Sequence, residues 1–63
     1  MAVLEQIGDK HNSALFNNNL GLLYYNQGKS TEARTYLLKA QKLYEMVGDE
    51  QGVWKTAQEL RRL

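Results

Sequence analysis

The sequence predicts an all-α protein of antiparallel helices, and three observations support this prediction. Apolar residues recur at spacings of three and four along most of the 63-residue chain, which is the period of a helix with a buried face. Three glycines, Gly8, Gly28 and Gly48, separate these stretches, and glycine ends a helix at low conformational cost. No stretch alternates apolar and polar residues with the period of two that a half-buried strand requires.

The glycines divide the chain into a short leading segment and predicted helices near residues 10–27, 30–47 and 50–62. Asp9, Ser30 and Asp49 follow these breaks, and their side-chain oxygens can accept hydrogen bonds from the free amides that open a helix. The middle helix has one apolar stripe, formed by Ala33, Tyr36, Leu37, Ala40, Leu43, Tyr44 and Val47. The first helix has two stripes, one formed by Phe16, Leu20, Leu23, Tyr24 and Gln27 and the other by Leu15, Leu22 and Tyr25. Such a helix is expected to contact neighbours on two sides.

The composition argues against several classes of function. Eight basic and seven acidic residues leave a net charge of +1, so we expect neither a nucleic-acid partner nor a membrane partner. The chain has no cysteine and one histidine, so no metal site and no cofactor are predicted. Every apolar run is shorter than a membrane span, and residues 1–10 lack the order of a secretion signal. The absence of cysteine fits a reducing, cytoplasmic compartment.

No catalytic group is predicted, so the sequence favours a binding protein over an enzyme. His11 has neither a nucleophile nor an orienting acid beside it, and we interpret it as a solvated surface residue. The run Asn17-Asn18-Asn19 does not form one ligand cage, because successive side chains on a helix diverge by about 100°. Arg61 and Arg62 are interpreted as favourable charges at the end of a helix.

The chain also contains a short internal repeat. Ile7-Gly8-Asp9 returns 40 residues later as Val47-Gly48-Asp49. The same offset pairs Leu4 with Tyr44, Glu5 with Glu45 and Leu20 with Leu60. A period of about 20–50 residues is typical of a solenoid, in which each unit cannot bury its apolar face alone. The repeat therefore predicts pairs of antiparallel helices stacked side by side.

Leu20-Gly21-x-x-Tyr24, followed by Ala33, Leu37 and Ala40, resembles the pattern of the tetratricopeptide repeat (TPR). The resemblance implies that Gly21 and Ala33 let two helices approach closely. Asn17 stands where the family has tryptophan and Glu45 where it has proline. The 40-residue offset exceeds the usual period of about 34 and is similar to the longer-period, kinesin-light-chain-like variant.

This resemblance implies a single TPR-like helical domain over residues 1–63, a fragment of an α-solenoid. Residues 1–8 are interpreted as the tail of a preceding helix, residues 10–47 as one full helix pair and residues 50–63 as the first helix of a next repeat. In this family the first helices line a concave face that binds a peptide. Carried over by position, that face contains Leu15, Asn18, Leu22, Tyr25, Asn26, Lys55, Gln58 and Arg62. The alternative for Leu15, Leu22 and Tyr25 is that they only pack against a neighbouring helix or a second chain.

The last predicted helix has apolar residues that no following helix covers, namely Val53, Trp54, Ala57 and Leu60. Leaving several large apolar side chains in water is costly, so we expect self-association, with a symmetric dimer as the default. Exchange of the terminal helix between chains is one route, because the hinge at Gly48-Asp49 is short. The predicted function is a protein–protein interaction module. The alternative is an excised or engineered repeat fragment with a purely structural, self-assembling role.

Overall fold

The computed structural model describes the backbone of residues 2–63 and the side chains of residues 9–63. It contains helices α1 (Ala2–Asn26), α2 (Ser30–Val47) and α3 (Glu50–Arg61), and residues 2–63 include no strand. The all-α prediction is therefore confirmed. Within the described part of the chain, no helix combines the length and the apolar character needed to cross a membrane.

The predicted helix break at Gly8-Asp9 is wrong. Helix α1 runs without interruption from Ala2 to Asn26, so the leading segment 1–8 and the helix predicted near 10–27 belong to one element. A glycine inside a helix costs only about 1 kcal/mol relative to alanine, which a 25-residue helix tolerates. The repeated sequence Gly-Asp therefore adopts two structures, a helix interior at residues 8–9 and a turn at residues 48–49. Leu4, Glu5 and Ile7, which the repeat also pairs, lie outside the described side chains.

The turn between α1 and α2 is formed by backbone hydrogen bonds around Gly28. Gly28 has a φ of 78°, in the left-handed region, and the amide of Lys29 donates to the carbonyl oxygen of Tyr24 over 2.9 Å. Lys29 precedes the first helical residue and makes no side-chain capping bond. Ser30, predicted as the cap, is instead the first residue of α2. This helix opens by backbone geometry alone.

The turn between α2 and α3 was predicted correctly. Gly48 ends α2 with a φ of 76°, and the amide of Asp49 donates to the carbonyl oxygen of Tyr44 over 2.9 Å. The Oδ1 atom of Asp49 then accepts a hydrogen bond from the amide of Gly52 over 3.1 Å. One residue thus closes α2 and caps α3.

Small residues lie at the contacts between helices. An added Cβ atom on Gly21 would lie 2.6 Å from the Cγ atom of Leu37 and 3.3 Å from the carbonyl oxygen of Ala33. A Cβ atom on Gly52 would overlap the ring of Tyr44. The close approach of α1 and α2 at Gly21 and Ala33, predicted above, is confirmed. The buried apolar side chains of residues 9–63 are those of Ala14, Ala33, Leu37, Ala40 and Tyr44.

The face that α1 buries differs from both apolar stripes read from the sequence. Among residues 9–26 of α1, the buried ones are Ala14, Asn18 and Gly21, whereas Phe16 is 63% exposed and Leu23 is 50% exposed. The reason is steric, because two helix backbones can approach closely only where side chains are small. The large apolar residues of α1 are therefore left beside or behind the contact.

The three helices form an extended row with dimensions of 40 × 18 × 12 Å. Helix α2 lies in the middle and packs against both α1 and α3. Tyr24 of α1 stacks on Tyr36 of α2 at the Gly28 turn, with ring centroids 5.4 Å apart, while His11 contacts the ring of Tyr44 at the opposite end. The α1–α2 pair is therefore an antiparallel hairpin, as predicted.

Candidate protein-interaction surfaces

An open apolar cleft lies between the C-terminal end of α2 and the first half of α3. Its volume is about 520 Å³. The residues that line it are Tyr44, Glu45, Gly48, Asp49, Glu50, Val53, Trp54 and Ala57. We call this feature the α2–α3 cleft.

The close contact at Gly52 creates this cleft. Because Gly52 has no side chain, α3 rests against the ring of Tyr44, and Val53 packs beside that ring on the edge of the core. Thr56 follows one turn later and is also buried, its hydroxyl donating to the carbonyl oxygens of Gly52 and Val53 at 2.9 Å. Trp54 lies on the side of α3 turned away from Gly52 and remains 65% exposed.

Three of the four residues predicted for self-association line the α2–α3 cleft. Val53, Trp54 and Ala57 line it, whereas Leu60 is half-buried and does not. Of the four side chains, only that of Trp54 is exposed, and the other three are half-buried. The apolar surface left open on α3 is thus dominated by one large aromatic side chain.

The end of the cleft near Gly48 is acidic. Glu45, Asp49 and Glu50 all line it, and Glu45 and Glu50 are exposed. Burial, and then the charges of Asp49 and Glu59, raise the pKa of the Tyr44 hydroxyl above its ordinary value. The site therefore combines apolar walls with negative charge at one end.

The predicted concave face has a mixed outcome on α1. Leu22 is half-buried, while Leu15, Tyr25 and Asn26 are exposed. Asn18 is only 3% exposed, so it does not present its amide on an open groove as the sequence analysis expected. The reason is that Asn18 lies between Ala14 and Gly21 on the small-residue face that packs against α2. Its Oδ1 atom is buried and accepts no hydrogen bond from the described residues.

On α3, the predicted concave residues Lys55, Gln58 and Arg62 are all exposed. At about 100° per residue they share one side of the helix, opposite the side that contains Val53, Ala57 and Leu60. Glu59 lies between these two sides. Its Oε1 atom is buried without a hydrogen-bond partner in the described part of the chain.

The environment of Glu59 was not foreseen from the sequence. Burial raises the pKa of its carboxyl group, and the positive charges of Lys55 and Arg62 oppose that shift. The spacing of Lys55 and Arg62, four residues before and three residues after Glu59, was visible in the sequence as a helical charge pattern. The burial of the carboxyl group was not visible, because it depends on how α3 meets α2.

The expectation that His11 has no acidic neighbour is wrong. Its Nε2 atom lies 3.7 Å from the Oδ2 atom of Asp49, and its ring meets Tyr44 edge-on with centroids 6.3 Å apart. The two residues are 38 positions apart, so the fold alone brings them together. His11 is exposed, as predicted, and the pair links α1 to the capping residue of α3.

The three asparagines diverge as predicted. Asn18 is buried, Asn19 is exposed, and Asn17 is half-buried with its Nδ2 atom donating to the carbonyl oxygen of Ser13 over 2.7 Å. Asn17 also lines a second, smaller cleft of about 240 Å³ together with Lys39, Lys42, Leu43 and Met46. The described residues contain no group of three or more side chains suited to hold a metal ion.

Comparison with family models, with curated proteins and with solved structures found no match for this chain. The resemblance to the tetratricopeptide repeat therefore stays a prediction. The function is inferred below from the α2–α3 cleft and from the side of α3 that contains Lys55, Gln58 and Arg62.

Proposed function

We propose that this protein is a protein–protein interaction module of tetratricopeptide-like helices that associates with a second copy through the α2–α3 cleft. One observation carries the proposal. Trp54 is 65% exposed beside an apolar cleft of about 520 Å³. Tryptophan is the residue type most enriched at the energetic centres of protein interfaces.

The energetic reason is the cost of leaving this surface in water. Burial of apolar surface contributes about 25 cal/mol per Å², and a tryptophan buries roughly 150–250 Å². A 63-residue chain has a small core, so an association that buries Trp54 and Ala57 also stabilises the fold.

The experiment is to compare the variants Trp54→Ala and Phe16→Ala by sedimentation equilibrium up to high micromolar concentration. Phe16 is a matched control because it is 63% exposed on the back of α1, away from the cleft. We expect the wild type and Phe16→Ala to self-associate equally and Trp54→Ala to be at least about tenfold weaker. A folded wild-type monomer at every concentration contradicts the proposal. Equal weakening by both variants would mean that association is not specific to the cleft.

The second part of the proposal is a peptide site on the side of α3 that contains Lys55, Gln58 and Arg62. Leu15, Leu22, Tyr25 and Asn26 on α1 and Lys55, Gln58 and Arg62 on α3 are the residues assigned to it. Its support is the exposure of Lys55 and Arg62 on one side of α3, where they can pair with a carboxylate. The test is amide chemical shifts recorded while an acidic peptide is added. Shifts at Tyr25, Lys55 and Arg62 support this site, and their absence contradicts it.

A further inference from the structure

One stripe of side chains along the solvent-facing side of α3 has opposite charges at its two ends, so it can pair with the same stripe of a second copy. Glu50, Trp54, Ala57 and Arg61 follow one another at spacings of four, three and four residues. On a helix these spacings place all four side chains on one stripe about 16 Å long. Glu50, Trp54 and Arg61 are exposed, and Ala57 is half-buried. The stripe therefore begins with an acid, has an apolar centre and ends with a base.

We propose that two copies of this protein pair through this stripe with their α3 helices antiparallel, so that Glu50 meets the partner's Arg61 and Trp54 meets the partner's Ala57. This inference rests on the self-association proposed above and specifies its register. A two-fold axis at the middle of α3 produces both contacts twice, as a symmetric interface requires.

Charge complementarity favours a second copy of this protein as the partner and the antiparallel orientation of the two α3 helices. In an antiparallel pair, each end of the stripe places a carboxylate opposite a guanidinium. In a parallel pair, Glu50 would face the partner's Glu50 and Arg61 the partner's Arg61, so like charges would repel at both ends. Glu45 and Asp49 add negative charge beside Glu50 along the cleft, which strengthens the attraction for the partner's Arg61.

The shapes agree with the charges. Ala57 is the small residue of the stripe, and it lines the α2–α3 cleft together with Trp54. A partner's Trp54 placed over Ala57 therefore enters the cleft, where Val53 and Tyr44 provide further apolar contact. The same arrangement covers Trp54, the most exposed large hydrophobic side chain among the described residues.

Charge-reversal variants of the full chain test the register. In Glu50→Arg both ion pairs become Arg–Arg contacts, and in Arg61→Glu both become Glu–Glu contacts. We expect each single variant to dimerise at least about tenfold more weakly than the wild type in low salt. The double variant carrying Glu50→Arg and Arg61→Glu restores opposite charges at residues 50 and 61. Because Glu45 and Asp49 still repel the glutamate introduced at residue 61 of the partner, we expect this variant to dimerise at least about threefold more tightly than Arg61→Glu but more weakly than the wild type. An equimolar mixture of the two single variants should form the heterodimer.

Two controls separate the register from helix stability. Each reversal also disfavours the dipole of α3, but the double variant carries both of these penalties, so its recovery cannot come from a more stable helix. Gln51→Arg adds a positive charge in the same turn, about 100° around the helix from Glu50, and we expect no more than a small change. Circular dichroism confirms that each variant keeps its helices.

The outcomes distinguish the two proposals. A wild type that stays monomeric contradicts the self-association and the register together. A wild type that dimerises and is sensitive to Trp54→Ala, but not to charge reversal at residues 50 and 61, contradicts the register alone. Weakening in the single variants without recovery in the double variant also contradicts the antiparallel pairing.

Discussion

Helix α2 contacts both α1 and α3, and in each contact a glycine lies against a large side chain of α2. The two contacts differ in how completely they exclude solvent. In the α1–α2 contact, Gly21 lies against Leu37, and in the α2–α3 contact, Gly52 lies against Tyr44. Around Gly21 the first contact is closed, since Leu37 is 1% exposed and Tyr24 stacks on Tyr36 beside it. Further along the same pair of helices, Asn17 lines a smaller cleft of about 240 Å³. The second is open on one side and leaves the cleft and Trp54. A glycine thus sets how closely two helices approach, while its neighbours decide whether the contact is sealed.

The difference between the contacts follows from what surrounds each glycine. Gly21 is preceded in α1 by several turns and followed by five more residues, and one of these, Tyr24, stacks on Tyr36 and flanks the contact. Gly52 lies in the first turn of a helix of 12 residues, and Thr56 is the other fully buried residue of that helix. The short contact has too few large side chains to close, which makes its edge the natural place for a partner.

The largest expected effect comes from adding one methyl group at each glycine. Gly21→Ala would force a Cβ atom against the side chain of Leu37 and the backbone of Ala33, and we expect a loss of about 2 kcal/mol of unfolding free energy. Gly52→Ala would overlap the Tyr44 ring, but α3 can shift as a unit, so we expect about 1 kcal/mol. Alanine's better helix propensity offsets part of both losses. Urea unfolding monitored by circular dichroism measures them.

The two variants should also differ in where the structure loosens. Gly21→Ala is expected to reduce hydrogen-exchange protection in all three helices, because it disturbs the contact that buries Leu37 between α1 and α2. Gly52→Ala is expected to reduce protection in α3 and to shift the fluorescence of Trp54, with α1 and α2 unchanged. Asn19→Ala, at an exposed position in α1, is the control for helix propensity alone. If Gly21→Ala is as stable as Asn19→Ala, the close approach of α1 and α2 is incorrect.

The sequence predicts the closed contact better than the open one. Gly21, Ala33 and Leu37 lie in one recognisable pattern, so the hairpin of α1 and α2 follows from local signals. The contact face of α1 does not, because apolar periodicity marks large residues and this contact selects Ala14, Asn18 and Gly21. The pair of His11 and Asp49 also escapes sequence analysis, since 38 positions separate its members and only tertiary structure joins them.

Gly-Asp illustrates the same limit at the level of a turn. Identical residues at 8–9 and 48–49 end a helix only at the second position. At Gly48 the turn places Asp49 within reach of the Gly52 amide and beside His11. Local sequence allows both conformations, and the contact of α3 with Tyr44 favours the turn at one of them.

The smallest expected effects come from substitutions at the two Gly-Asp sequences, at Asp49 and at Asp9. Asp49→Ala removes the hydrogen bond to the Gly52 amide, and we expect it to cost about 1 kcal/mol of unfolding free energy. Asp9→Ala is the matched control: Asp9 lies in α1 well beyond its first turn, so it caps nothing, and alanine there costs close to zero. His11→Gln separates the loss of the cap from the loss of the neighbouring contact between His11 and Asp49, whose contribution at this exposure is a few tenths of a kcal/mol, about 0.5 or less. Urea unfolding near neutral pH measures all three variants. If Asp9→Ala lowers the unfolding free energy as much as Asp49→Ala does, then Asp9 caps a helix in solution and α1 is interrupted at Gly8-Asp9. Both Gly-Asp sequences would then form turns, as the 40-residue repeat predicts.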